Sequence, residues 1–137
     1  MKCVRRMAGE DLPRFESYLG AAALACGVTW LWDYFASLYF PGQTALNFTL
    51  LSALIYLEAA FLGAFGLTRR RLTKHLHVGV RAGIGAWMTN MVFRLIVFDL
   101  SEALWGVLVY LTSFLVGGCL GGLFASMIHR GEAGAKS

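Results

Sequence analysis

The sequence predicts an all-α fold: a polytopic membrane protein, built as a four-transmembrane-helix bundle with short loops and both termini cytoplasmic, in a single integral membrane domain over residues 1–137. Three observations predict it. Hydrophobic residues make up 58% of the chain before its 16 glycines are counted, and charged residues only 15%; an average soluble domain is roughly 45–50% apolar with glycine included and about 25% charged. Four apolar runs are each long enough, at about 1.5 Å per residue, to carry a helix across roughly 30 Å of hydrocarbon. The connections between them alternate between strongly basic and free of Lys and Arg. A mean hydropathy of +0.62 argues against a disordered chain, a secreted disulfide scaffold or an ordinary cytosolic enzyme. Backbone amides in lipid must bond within their own segment unless a barrel closes, and these runs lack the alternation of barrel strands, so each is read as a helix.

The first span covers residues 18–40. Lys2, Arg5, Arg6 and Arg14 precede it, and Pro13 stands just ahead, where a helix start tolerates proline. Its Asp33, its aromatics and the mixed residues in front distinguish it from a cleaved signal peptide. Pro41-Gly42-Gln43 ends it. The second span covers 45–67; Asn47-Phe48-Thr49 matches a glycosylation acceptor, but a membrane boundary leaves no room for a bulky glycan. Arg69-Arg70-Arg71-Leu72-Thr73-Lys74-His75 separates it from the third span, 78–98, and Asp99-Leu100-Ser101-Glu102, with Ser101 as N-cap, leads into the fourth, 103–128. Arg130 and Lys136 follow. Lys and Arg therefore gather before the first span, between the second and third, and after the fourth, which places both termini and the basic loop in the cytoplasm. The expected location is the cell (plasma) membrane, and Tyr34, Tyr39, Phe40 and Trp105 fall near the outer boundary as an aromatic belt.

Lipid tails are as apolar as leucine, so membrane helices associate through close packing, polar contacts and small residues. In the fourth span, Gly117 pairs with Gly121 and Gly118 with Gly122 in overlapping small-xxx-small patterns, extended by Ala125 and Ser126. A phosphate-loop reading fails, because no strand precedes these glycines and no Lys-Ser/Thr follows. Whether they pack within the chain or between chains stays open at this point. At 100° per residue the third span gathers Gly79, Gly83, Trp87, Asn90 and Arg94 on one sector, and the first gathers Ala22, Cys26, Thr29, Asp33 and Ser37. Both faces are expected to point into protein.

A charge inside a bilayer costs about 2.5–3.5 kcal/mol on insertion scales and more in simulations, so each one needs a partner or a purpose. Asp33 lies roughly 10 Å, and Arg94 roughly 6 Å, inside the outer ends of their helices. This predicts an Asp33–Arg94 ion pair, with Asn90 one turn below Arg94 completing its hydrogen bonds. The pair either sets helix register or belongs to an ion or anion path; Arg94 snorkelling outward alone is the third possibility. Glu58 sits roughly 13 Å from the cytoplasmic end of its span, close to the midplane. Ser52, Tyr56, Ala59 and Gly63 form the small face of that helix, while Leu51, Leu54, Leu62 and Phe65 flank Glu58. Three resolutions are open: a neutral carboxyl, a contact with Arg81 reaching up from the inner boundary, or a contact with a neighbouring protein.

Arg69, Arg70, Arg71 and Lys74 form a cluster expected to attract anionic lipid head groups, at about 1 kcal/mol per residue near the surface. His75 and His77, with His129 at the end of the fourth span, could bind metal or sense pH, but no acidic or cysteine ligand lies nearby in sequence, so no metal site is expected. No cofactor is expected either, since no histidine lies within a span to hold haem iron. The three cysteines, Cys3, Cys26 and Cys119, are widely spaced and read as small apolar residues. The net charge of +4 follows from topology and does not imply nucleic acid. No nucleophile gathers with a base and an orienting group, so no enzyme is expected. The expected function is a small integral membrane subunit or scaffold component of a larger membrane complex or homo-oligomer, with membrane lipids and other subunits as partners. The alternative is a small oligomeric ion- or proton-coupled transporter or channel that uses its intramembrane charged residues.

Overall fold

A computed structural model describes residues 13–40, 46–69, 74–97 and 104–134, and these form four α-helices: α1 Phe15–Tyr39, α2 Leu46–Thr68, α3 His75–Val97 and α4 Leu104–Gly134. Three are long and apolar enough to cross a membrane, within Phe15–Tyr39, Phe48–Thr68 and Gly106–Gly131. The exception is α3, which carries His75, His77, Arg81, Asn90 and Arg94. Its 23 residues still give a length of roughly 34 Å.

Helix ends depart from the apolar runs for a physical reason. Hydropathy marks the part of a helix that suits lipid, whereas the backbone ladder continues wherever residues tolerate it. So α1 begins at Phe15, three residues early, directly after Pro13 and the extended Arg14, whose carbonyl accepts from the Ser17 amide at 2.9 Å. At the other extreme α4 runs on through His129 and Arg130 to Gly134. Ser101 and the Pro41-Gly42-Gln43 turn lie outside the described residues.

Contacts fix the direction of every helix. Asp33 and Trp32 of α1 meet Tyr56 and Ser52 of α2, while Gly63 lies against Ala21 and Ala25, so α1 and α2 run antiparallel. Cys26 meets Ala86, Trp30 meets Asn90 and Asp33 meets Arg94, at separations of 60, 60 and 61, which makes α1 and α3 parallel. Gly79 and Gly83 meet Gly122 and Gly118, so α3 and α4 are antiparallel. Around the bundle the order is α1, α2, α4, α3; α2 and α3 touch across the middle, and α1 and α4 share no contact among the described residues.

The interior is small and partly polar, the exterior large and apolar. Ala22, Ala25, Ala60 and Ala86 surround Tyr56 and Phe114 at the centre, and Thr29, Ser52 and Asn90 are buried beside them. Leu31, Leu54, Ile96 and Met127 face outward. A soluble bundle segregates the other way, and helices apolar on their outer surface are the pattern of a bundle surrounded by lipid.

Candidate functional site

The principal polar cluster lies between α1, α2 and α3. The Nη2 atom of Arg94 donates to Asp33 Oδ2 at 2.7 Å and also to the Tyr56 hydroxyl oxygen, and the Tyr56 hydroxyl donates to Asp33 Oδ1. Three helices are tied by three side chains in a closed set. The side chains of Arg94 and Asp33 retain 11% and 23% of their exposure, so the pair is largely removed from its surroundings. The guanidinium also lies over the Tyr110 ring of α4, 4.9 Å from its centroid, and 5.8 Å from that of Tyr56, adding cation–π attraction.

The structure thus brings Asp33 and Arg94 together and places Asn90 differently. The Asn90 oxygen accepts the indole N–H of Trp30 at 3.1 Å, and Trp30 stacks on Phe93 with centroids 3.7 Å apart; the group that shares Arg94 with Asp33 is the Tyr56 hydroxyl. One turn of α3 points Asn90 at the α1 indole, while the longer arginine bends back toward α2. Sequence reasoning put Tyr56 on the small face of its helix without assigning it a partner. The available signal was the company of Ser52, Ala59 and Gly63, all buried with it: a tyrosine among small residues has its hydroxyl inside the bundle, where a polar partner is needed.

The glycine faces pack within the chain. A Cβ built on Gly117 or Gly121 would strike the α2 carbonyls of Leu57 or Phe61, and one on Gly118 or Gly122 would strike α3 at Gly79 or His75, at 2.5 and 2.6 Å. Gly79 and Gly83 return the contact from α3, meeting the carbonyls of Gly118 and Phe114. Alternate glycines of one helix thereby seat two neighbours.

Glu58 stands outside all of this. It is exposed, one residue from the middle of α2 and turned away from Tyr56 and Ala60. Arg81 is also exposed, on the side of α3 opposite Gly79 and Gly83. Neither makes a hydrogen bond or ion pair among the described residues. Because α2 and α3 face each other across the bundle, their outer sides point in opposite directions, so the Glu58–Arg81 contact considered from sequence does not form within one chain.

At the other end, His75 is buried and lies beside His129, with ring centroids 5.1 Å apart, whereas His77 is exposed. Residues two apart on a helix point to different sides, so the pair that forms is not the pair adjacent in sequence. No group of three metal-ligating side chains occurs among the described residues. Arg69 and Lys74 are exposed, and Arg70 and Arg71 lie outside the described residues. No protein-family model, curated protein or solved structure matches the chain.

Proposed function

We propose that this chain is a small integral membrane subunit or scaffold component, of a larger membrane complex or of a homo-oligomer, without catalytic activity of its own. It crosses the plasma membrane four times with both termini cytoplasmic, and its basic loop meets anionic head groups. Inclusion of α3 among the spans is supported by its second half: Asn90 and Arg94 turn inward, while Ile84, Met88, Val92, Leu95 and Ile96 form the outer surface beyond the exposed His77 and Arg81.

The observation that carries the assembly reading is Glu58. Three outward hydroxyls return to their own helix, Ser37 to the Tyr34 carbonyl, Thr112 to Val109 and Ser126 to Leu123, at 2.7–2.8 Å. A carboxylate has no proton to return in this way. On the midline of α2 it faces hydrocarbon unless protein covers it, and such a residue is expected to have a partner. Native mass spectrometry of the membrane-extracted protein tests this. The expected result is a defined oligomer or companion subunits; a lone monomer overturns it.

A transporter or channel is the second reading. Its support is that the side-chain nitrogens of Trp87 and Asn90 are buried donors without an acceptor among the described residues. Against it, Asp33 and Arg94 are closed on Tyr56, and Glu58 faces out of the bundle, so the candidate charges do not line one path. Proteoliposome flux abolished by Asn90→Leu would favour this second reading.

A further inference from the structure

We infer that copies of this chain associate head to tail, with the outer ridge of α2 packed on the outer ridge of α3 of a second copy, so that Glu58 of one meets Arg81 of the next. The inference rests on the subunit reading above and adds the partner and the surface.

Two orphan charges of opposite sign lie on opposite sides of one bundle. Neither has a partner among the described residues, and each sits on an otherwise apolar ridge. On α2 the ridge is Leu51, Leu54, Glu58 and Leu62, with the three leucines 45–59% exposed. On α3 it is Arg81, Ile84, Met88, Val92 and Leu95, with the four apolar members 40–60% exposed. Both sets repeat at three- and four-residue steps, the spacing by which two helices interlock along a shallow crossing.

Depth agrees as well as charge. The α4 helix carries the level from one side to the other: Gly117 lies against the Leu57 carbonyl of α2, and a Cβ on its neighbour Gly118 would fall 3.1 Å from the Gly83 Cα of α3. Glu58 and Arg81 are therefore within a few residues of one another along the bundle axis, and an arginine side chain covers the remainder. Copies arranged about an axis along the membrane normal share a common depth, so the same levels meet between chains. An ion pair with both members covered is the arrangement that spares each charge from hydrocarbon. A two-fold contact of α2 on α2 would instead oppose two carboxyls and leave Arg81 uncovered. Because the two ridges differ, the contact is heterologous and either closes into a ring or continues as a row in the membrane plane.

Differentially tagged copies, one carrying Glu58→Cys and the other Arg81→Cys in a background with Cys3, Cys26 and Cys119 replaced by alanine, are mixed in phosphatidylcholine vesicles and treated with a short bifunctional thiol reagent. The expected product joins the two tags. In parallel, self-association is followed by energy transfer between labelled copies: Glu58→Arg or Arg81→Glu alone lowers it at least tenfold, and the double exchange in one chain restores it, which a folding defect would not. Glu58→Cys copies joining only to themselves would overturn the inference in favour of a two-fold contact. Copies that never associate, yet extract from their native membrane with other subunits, would overturn it while leaving the subunit reading intact. A chain monomeric in both settings would overturn both.

Discussion

The bundle holds α1 and α4 by opposite means. α1 is attached through long side chains: Asp33 on Tyr56 and Arg94, Trp30 on Asn90, and Trp32, whose indole donates to Ser52 at 3.0 Å. Beyond Tyr110 and Phe114, which pack on Tyr56, α4 is attached where it has no side chain, so that Gly117, Gly118, Gly121 and Gly122 meet neighbouring backbones directly. Where hydrophobic burial supplies no drive between helices, both polar contacts and close packing remain available, and this chain uses one on each side of α2 and α3. The first is directional and fails when a partner is lost. The second is steric and fails when a methyl is added.

The largest expected effect lies on the polar side. Asp33→Ala leaves Arg94 largely buried without its carboxylate and should cost about 3–5 kcal/mol, read as a shift of the unfolding midpoint in mixed micelles. Replacing Arg94 as well, with Met, should recover part of that loss, since an uncompensated charge is worse than none. Tyr56→Phe keeps the ion pair and removes only the shared hydroxyl; it should cost about 1.5–3 kcal/mol, the range for hydrogen bonds to charged groups. Glycine-side changes follow. Gly118→Ala drives a methyl against the Gly79 carbonyl and should destabilise by about 1–3 kcal/mol, with Gly83→Ala similar. Smallest is Gly66→Ala, where a Cβ meets nothing within 4 Å; its stability should change by less than about 1 kcal/mol, in the stabilising direction, through helix propensity alone. Equal losses for Gly118→Ala and Gly66→Ala would break the contrast between seated and open glycines.

Much of this architecture was legible in the residues. Apolar run length located the four helices, three of which are long and apolar enough to cross a membrane. Helical periodicity identified the inner faces: Gly79, Gly83, Asn90 and Arg94 are buried together, as are Ala22, Cys26 and Thr29. Asp33 and Arg94 could be paired because opposite charges lie near the same boundary on faces expected to point inward. Ser37, grouped with the inner face of the first helix, is instead exposed and bonds to Tyr34, while its neighbour Ala36, three residues after Asp33, takes the buried position at that level.

Composition and periodicity therefore determine the class of molecule and the inward side of most of each helix, since these follow from local spacing and from the solvent that each side meets. Which inward sides touch is another matter. The order α1, α2, α4, α3 sends Tyr56 to Arg94, Trp30 to Asn90 and His75 to His129, and it sends Glu58 and Arg81 to opposite sides. Periodicity reports the direction of a side chain from its own helix axis but carries nothing about which helix lies in that direction, so those partnerships were decided only when the four helices closed on one another.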